Sequence, residues 1–287
     1  MIVVAGGSGD LGRRVVAALT AAGEPVRVLV RDAARAREVL GPEVVVVAAD
    51  VRDREAVASA IPGATAVVSA VHGLLGGAGS GPDEVDRQGN GHLAEAARHS
   101  GATFVLVSVL GASRTSPLEL SRAKYDAEQA LTGSRWVVVR AAAFFETWVT
   151  VMRSSAARLG RPLVMGVGER PMPFVSVLDV AAVVARAATD PALHGQVLEV
   201  AGPVLTMNEL AAAVQVHDGR AGRPLHLPRG ALRLTGVLAG PVQPAAARMA
   251  RAALAFDTHD LPHGDPGLRD RLGLAPATTL DEVLAAR

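Results

Sequence analysis

The chain has 287 residues, of which 49% are hydrophobic and 20% charged, with a formal net charge of +1. Size and apolar content describe a globular protein with a large core, and the near-neutral charge gives no electrostatic reason to expect nucleic acid or an anionic membrane as partner. Cysteine is absent, which excludes disulfides, thiolate nucleophiles and iron–sulfur clusters.

Residues 1–5 read as a short buried strand and residues 13–22 as a helix, with Leu11, Val15, Val16 and Leu19 on one face. Between them runs Gly6-Gly7-Ser8-Gly9-Asp10-Leu11-Gly12, which satisfies G-x-G-x-x-G from Gly7 and G-x-x-G-x-x-G from Gly6. Strand, glycine turn and helix together make a pyrophosphate site. Glycines let the backbone bend and approach the phosphates, and the helix N-terminus offers free N–H groups and partial positive charge. A chain opening directly in a core strand leaves no room for a signal peptide. The apolar stretch 232–247 is interrupted by Gly236, Gly240, Pro241 and Pro244 and is too short to cross a bilayer. A cytoplasmic protein is expected.

Strand-like and helix-like segments then alternate: strands at 25–30, 43–48, 65–70, 103–109 and 135–140, helices at 33–40, 54–60, 82–100 and 118–131. Such alternation predicts an α/β protein with a Rossmann-type, doubly wound parallel sheet. Continuous runs such as Val44-Val45-Val46-Val47 suit strands buried on both faces. Beyond residue 140 the pattern loosens into helices at 144–159, 179–188 and 207–216 and strands at 172–177 and 196–201, followed by helical pieces to Arg287 joined by Pro/Gly turns. The expected organisation is a dinucleotide-binding domain over 1–150 and a smaller, mostly helical substrate lobe over 151–287, interleaved with the first rather than independent.

Ligands of such sheets bind at the carboxyl ends of the strands, so the residues just after each strand are the candidates. Arg31 and Asp32 close the second strand, where an acidic residue reads the ribose hydroxyl of NAD and an arginine accommodates the phosphate of NADP. Arg13, Arg14 and Arg35 are further candidates for that phosphate. Arg31 favours NADP, and the Asp32 spacing leaves NAD open. Asp50 and Val51 follow the third strand, placed to bond the adenine amino group and to pack on the ring; the alternative for Asp50 is a helix N-cap. Ala70, Val71 and His72 follow the fourth strand and would lie along the cofactor.

The chain resembles the atypical short-chain dehydrogenase/reductase superfamily and, within it, the NmrA-like NAD(P)-binding proteins. The resemblance rests on residues 3–12, 30–32, Asp50-Val51 and Val107-Ser108-Val109. It extends through Lys124 with Glu128, Arg140 with Phe144-Phe145-Glu146, and Pro173-Phe174-Val175 ahead of Asp179-Val180-Ala181. It covers about residues 1 to 215 and implies fold and cofactor more firmly than reaction. It implies that Gly6, Ser8, Gly9, Asp10, Leu11 and Gly12 hold the pyrophosphate, that Lys124 holds the ribose, and that Ala142 and Phe144 line the nicotinamide. Phe144, Phe145 and Trp148 would form an aromatic wall for a planar apolar substrate, core packing being the alternative.

The superfamily's usual catalytic set is a serine with a Y-x-x-x-K pair on one helical face. Ser108 and Lys124 occupy the corresponding places, but Leu120 stands four residues before Lys124, and the single tyrosine, Tyr125, points about 100° away. Three readings follow: an NADPH-dependent reductase of a quinone, enone or activated carbonyl, a non-catalytic sensor of NADP redox state with a regulatory protein partner, and an epimerase or isomerase. Oligomeric state is left open, a homodimer included. The segment 257–265, with three Asp and two His, reads as a surface loop rather than a metal site.

Overall fold

The structure is a computed structural model that describes all residues except Glu43, Ser134 and Arg287. The elements run β1 (Ile2–Ala5), α1 (Asp10–Ala21), β2 (Val26–Val30), α2 (Ala33–Leu40), β3 (Val45–Ala48), α3 (Arg54–Ala60) and β4 (Ala66–Ser69). A π-helical turn (Asp83–Gly89) passes directly into α4 (Asn90–His99), followed by β5 (Thr103–Val109), α5 (Glu119–Gln129), β6 (Trp136–Ala141), β7 (Ala143–Phe144) and α6 (Phe145–Leu159). Then come β8 (Leu163–Met165), β9 (Met172–Val175), α7 (Val177–Thr189), β10 (Gln196–Val200), β11 (Val204–Leu205), α8 (Met207–His217) and β12 (Leu225–Leu227). The chain closes with α9 (Arg229–Leu238), α10 (Pro244–Thr258), α11 (Leu268–Arg271) and α12 (Leu280–Ala285).

Seven strands form one parallel sheet in the order β3-β2-β1-β4-β5-β6-β10. Alternate residues of each strand enter opposite cores, as the strand pleat requires. Ile2 and Val4, with Val105, Val107, Val137 and Val139, pack on one face with residues of α1 and α7. Val3 and Ala5, with Phe104, Leu106 and Val138, pack on the other with residues of α3 and α4. The valine run of β3 departs from expectation. It is the edge strand, and Val45 is 54% exposed. An apolar run shows that a strand can be buried, but not whether a neighbour and a helix exist to bury it. The predicted first residue of that strand, Glu43, lies outside the described residues.

The seventh strand and α7 come from beyond residue 150 yet belong to the central layer: β10 pairs with β6 from Gln196↔Val137 to Val200↔Ala141, and residues of α7 join the α1 core. The line at 150 falls inside α6. Of the remaining elements, α6, α8 and α12 with β8 and β9 form a separate small core around Phe145, Met152, Phe174 and Leu210, α9 and α10 form another around Leu232, Ala250 and Ala253, and α11 joins the α1 core through Leu268; one three-stranded and one two-stranded sheet accompany them. That lobe lies over the carboxyl end of the parallel sheet. Among the described residues no helix is long and apolar enough to cross a membrane.

Candidate functional site

The turn after β1 is built around three glycines. Gly6 has φ +79°, and a Cβ there would stand 2.9 Å from the Ala70 carbonyl oxygen. A Cβ on Gly7 would meet Val28 Cγ1 at 2.5 Å, and one on Gly12 the Gly6 oxygen at 2.1 Å. All three separations are too short for a side chain, so this turn packs backbone against β2, β4 and the first turn of α1. Gly9 is the N-cap of α1 and has no side-chain cap, so the first N–H groups of that helix are left for another acceptor. Helix α1 starts at Asp10, three residues earlier than the periodicity indicates.

A cleft of about 1000 Å³ opens beside this turn. The turn contributes Gly6, Ser8 and Gly9; the end of β2 contributes Arg31; the end of β3 contributes Asp50, Val51 and Arg52; the end of β4 contributes Ala70, Val71 and His72. The loop 75–80 supplies its outer rim through Leu75, Gly76 and Ser80. Nine of the residues that the sequence singles out are thus brought to one place. Asp10, Leu11, Gly12, Lys124 and Phe144 are not among the lining residues. Asp10 pairs with Arg13 and Arg14, and all three face a different groove. Leu11 and Gly12 are buried against the sheet, and Phe144 packs half-buried against the core.

Asp32 and Asp50 have distinct partners. Asp32 caps α2, accepting the Arg35 N–H at 3.0 Å, and is not part of the cleft wall. Asp50 faces the cleft with its carboxylate held by Arg52. Oδ1 accepts the Arg52 backbone N–H at 3.0 Å and Nε at 2.9 Å, and Oδ2 meets Nη2 at 2.6 Å. These bonds hold its pKa below the ordinary carboxylate value, with Arg31 adding a smaller pull. The cap of α3 is Asp53, not Asp50.

Lys124 is buried beneath the cleft. Its Nζ donates to the Val71 carbonyl at 2.9 Å and pairs with Asp86 Oδ1 at 3.0 Å, and the side chains are 3% and 0% exposed. Asp86 Oδ2 in turn accepts the Gly73 N–H at 2.7 Å. The pair therefore ties the chain after β4 to α5 from below. The π-helical turn explains how Asp86 gets there. Its wider winding places Asp86 and Asn90, four residues apart, both inside the protein, where the Asn90 side chain donates to the Asp86 carbonyl at 2.7 Å and accepts the Ser69 hydroxyl. His72 faces the cleft just above. Crowding by protein disfavours its charged form and lowers its pKa; Asp86 opposes this and the Lys124 ammonium reinforces it.

Ser108 is also turned inward. It is 2% exposed and donates to Glu128 Oε1. Glu128 takes Arg140 Nη2 at 2.7 Å, and Arg140 Nη1 reaches Glu199 at 3.2 Å. Ser108, Arg140 and Glu199 sit side by side on β5, β6 and β10, so one row of a single sheet face carries the network. Neither Ser108 nor Lys124 lines the cleft or the second hollow beside it, an apolar cavity.

That cavity, about 750 Å³, lies between the ends of β5 and β6 and one face of α10. Leu118, Leu120, Ala141, Ala142, Phe256 and Leu261 are among the apolar residues of its wall. Leu120, standing where a tyrosine would complete the familiar pair, faces it, while Tyr125 does not. The aromatic wall is a correction. Phe145 is fully buried and stacks on Phe174 with centroids 5.2 Å apart. Trp148 packs edge-on against Phe256 at 6.1 Å behind the cavity, and the aromatic facing it is Phe256 from α10. Helix α6 turns its apolar stripe toward the small core, as an amphipathic helix must. The loop expected at 257–265 begins at His259, since Asp257 and Thr258 still belong to α10. Asp257 lies in α10, 5% exposed, and accepts the Val167 and Gly168 N–H groups and Arg229 Nε. Arg52, Asp86, Arg248 and Phe256 went unsignalled, although Arg248 is a lone charge within Ala245-Ala246-Ala247-Arg248-Met249-Ala250.

The sheet order, the glycine turn and the cleft beside it define a doubly wound protein of the dinucleotide-binding class. The chain belongs to the NmrA-like family, whose model matches residues 1–268. It is 33% identical over 229 residues to an NAD(P)H azoreductase of Xenophilus azovorans, covering 78% of this chain and 75% of that one. It is 28% identical over 228 residues to quinone oxidoreductase 2 of Escherichia coli strain K12, covering 77% and 75%. The solved structure of an E. coli NADPH-dependent quinone oxidoreductase in complex with NADPH superposes with a TM-score of 0.77 at 22% identity over 99% of each chain.

Proposed function

We propose that the chain is an NADPH-dependent oxidoreductase that reduces a flat, largely apolar acceptor such as a quinone, an enone, an activated carbonyl or an azo compound. The observation that carries this reading is the pairing of the two hollows at the sheet's carboxyl end. They meet at the loop after β4, where His72, Leu75 and Gly76 face the cleft and Leu74 faces the cavity. The azoreductase and quinone oxidoreductase named above support the reaction class.

The cleft suits a dinucleotide. A Cβ would fill the turn at Gly6 and Gly12, and the uncapped start of α1 offers N–H groups to a diphosphate. Arg31 faces the adenosine end while Asp32 is engaged as a cap, which favours a 2′-phosphate over a free ribose hydroxyl. Val51 and Val71 give apolar surface for a base and a ribose. Bound in this cleft, a reduced nicotinamide would supply hydride to the acceptor. Lys124 and Asp86 act on the cofactor's position through Val71 and Gly73. Leu120 has no proton to give, so acceptors that take their proton from solvent after reduction fit this cavity better than simple alcohol–ketone pairs do.

The test joins binding to turnover. Calorimetric titration should show NADPH binding more tightly than NADH, and NADPH oxidation should accelerate on adding quinones or azo compounds. Tight NADPH binding with no oxidation across the panel would favour the redox-sensor reading, which the Leu120 substitution supports.

A further inference from the structure

One face of α10 closes the acceptor cavity, and it carries two arginines. Arg248 and Arg251, one helical turn apart, both line a wall that is otherwise mostly apolar. Arg248 is 8% exposed. Its Nε donates to the Leu74 carbonyl at 3.0 Å and its Nη2 to the Gly76 carbonyl. Among the described residues no carboxylate lies within 4.0 Å of it. Glu84 comes near without touching it: its carboxylate accepts the Gly81 N–H at 3.0 Å, and a Cβ on Gly81 would stand 3.1 Å from Arg248 Nη1 and 3.3 Å from Glu84 Oε2. A guanidinium held by neutral carbonyls keeps its full charge, and a buried charge without a counter-ion is costly unless something else compensates it. Arg251 donates to the Gly236 carbonyl at 2.7 Å and stands 3.5 Å from Glu119. Among the described residues, Glu119 is the one carboxylate that lines the cavity. Two guanidiniums against one carboxylate leave an excess positive charge in the wall, with Arg248 at its buried end and the Arg251–Glu119 pair at its solvent-exposed end.

We propose that this cavity selects aromatic acceptors bearing an anionic substituent, with Arg251 and Arg248 as the residues that set the preference. The proposal rests on the reductase reading for the word acceptor, but the preference itself is a binding property. Arg248 has a second task, since its bonds to Leu74 and Gly76 hold the loop shared by the two hollows. Arg251 has no bond to that loop and is the cleaner residue to change.

The experiment uses two unreactive probes of the same shape, 2-naphthoate and 2-naphthamide, titrated into the protein with saturating NADPH present to occupy the dinucleotide cleft. The carboxylate should bind about tenfold more tightly than the amide, as a charge-assisted bond to a guanidinium implies. Arg251→Gln should lower the ratio severalfold, with Arg248 keeping the remainder, and Glu119→Gln should raise it, because it removes the competing carboxylate. Equal affinity for the two probes in the native protein overturns the proposal. So does a preference for naphthoate that neither Arg251→Gln nor Arg248→Gln lowers, since the anion would then be bound elsewhere. The ratio can be read whether or not any acceptor is turned over. Loss of the reductase reading therefore shows as absent NADPH oxidation with the ratio preserved, and loss of this proposal as a ratio of one with oxidation preserved.

Discussion

The two hollows at the sheet's carboxyl end are made from different materials. The dinucleotide cleft is walled by glycines, strand ends and the start of one helix, all contributed in sequence by the first four β–α steps. The apolar cavity is walled by side chains gathered from the start of α5, the end of β6 and α10, across more than a hundred positions of chain. A wall of backbone can change little without breaking the turn that forms it. A wall of side chains on a packed helix face can be rewritten residue by residue while the helix stays where it is. On the function proposed above, the contrast would let the acceptor change while the cofactor site is kept.

This contrast can be broken from either side. The largest effect is expected beneath the cleft. Lys124→Met would leave the Asp86 carboxylate buried without its cation, which costs about 3–5 kcal/mol in comparable cases. Urea unfolding should register it, and adding Asp86→Asn should recover a good part of the loss. If the single variant is as stable as the native protein, the pair does not hold the loop after β4. Next comes Gly12→Ala, whose Cβ would collide with the Gly6 carbonyl. A loss of about 3 kcal/mol is expected, together with weakened NADPH binding. Arg31→Ala tests a side chain set in the backbone wall. NADPH affinity should fall by about ten- to a hundredfold with NADH affinity unchanged, the range for a charge-assisted bond to phosphate. Equal losses for both cofactors would show that Arg31 does not read the phosphate.

The smallest effect concerns His72. Its folded-state pKa lies below the unfolded value of about 6.5, so the unfolded chain binds the proton more readily. Its contribution to stability is therefore complete above pH 6.5 and is lost as the pH falls from there through the folded-state value. His72→Gln should flatten the fall in the urea midpoint over that interval. An unchanged pH profile would mean that the imidazole titrates alike in both states.

What was legible in the sequence divides along the same line. The glycine turn and the strand ends are local: Gly6, Arg31, Asp50 and Ala70 each follow a recognisable strand, and reading the residue after the strand found the cleft. The misplaced residues are those whose role depends on distant partners. Lys124 sits in a familiar position, but its direction is set by Asp86, which only a π-helical winding brings inside. Ser108 ends a strand as expected, yet Arg140 and Glu199 on the neighbouring strands draw Glu128 over it and the hydroxyl inward. Phe145 and Phe256 could not be told apart by residue type. One stacks in the small core and the other closes the cavity, a distinction made by packing angles between α6, α10 and the sheet.

The position of β10 bears on how the protein is made. A nascent chain that has emerged only as far as α6 holds six of the seven strands, with the backbone N–H and C=O groups along the outer side of β6 unpaired. Such an edge is a template for pairing with another chain, and it stays open until about fifty further residues have left the ribosome. A fragment ending near residue 150 should accordingly self-associate, however complete its cofactor cleft.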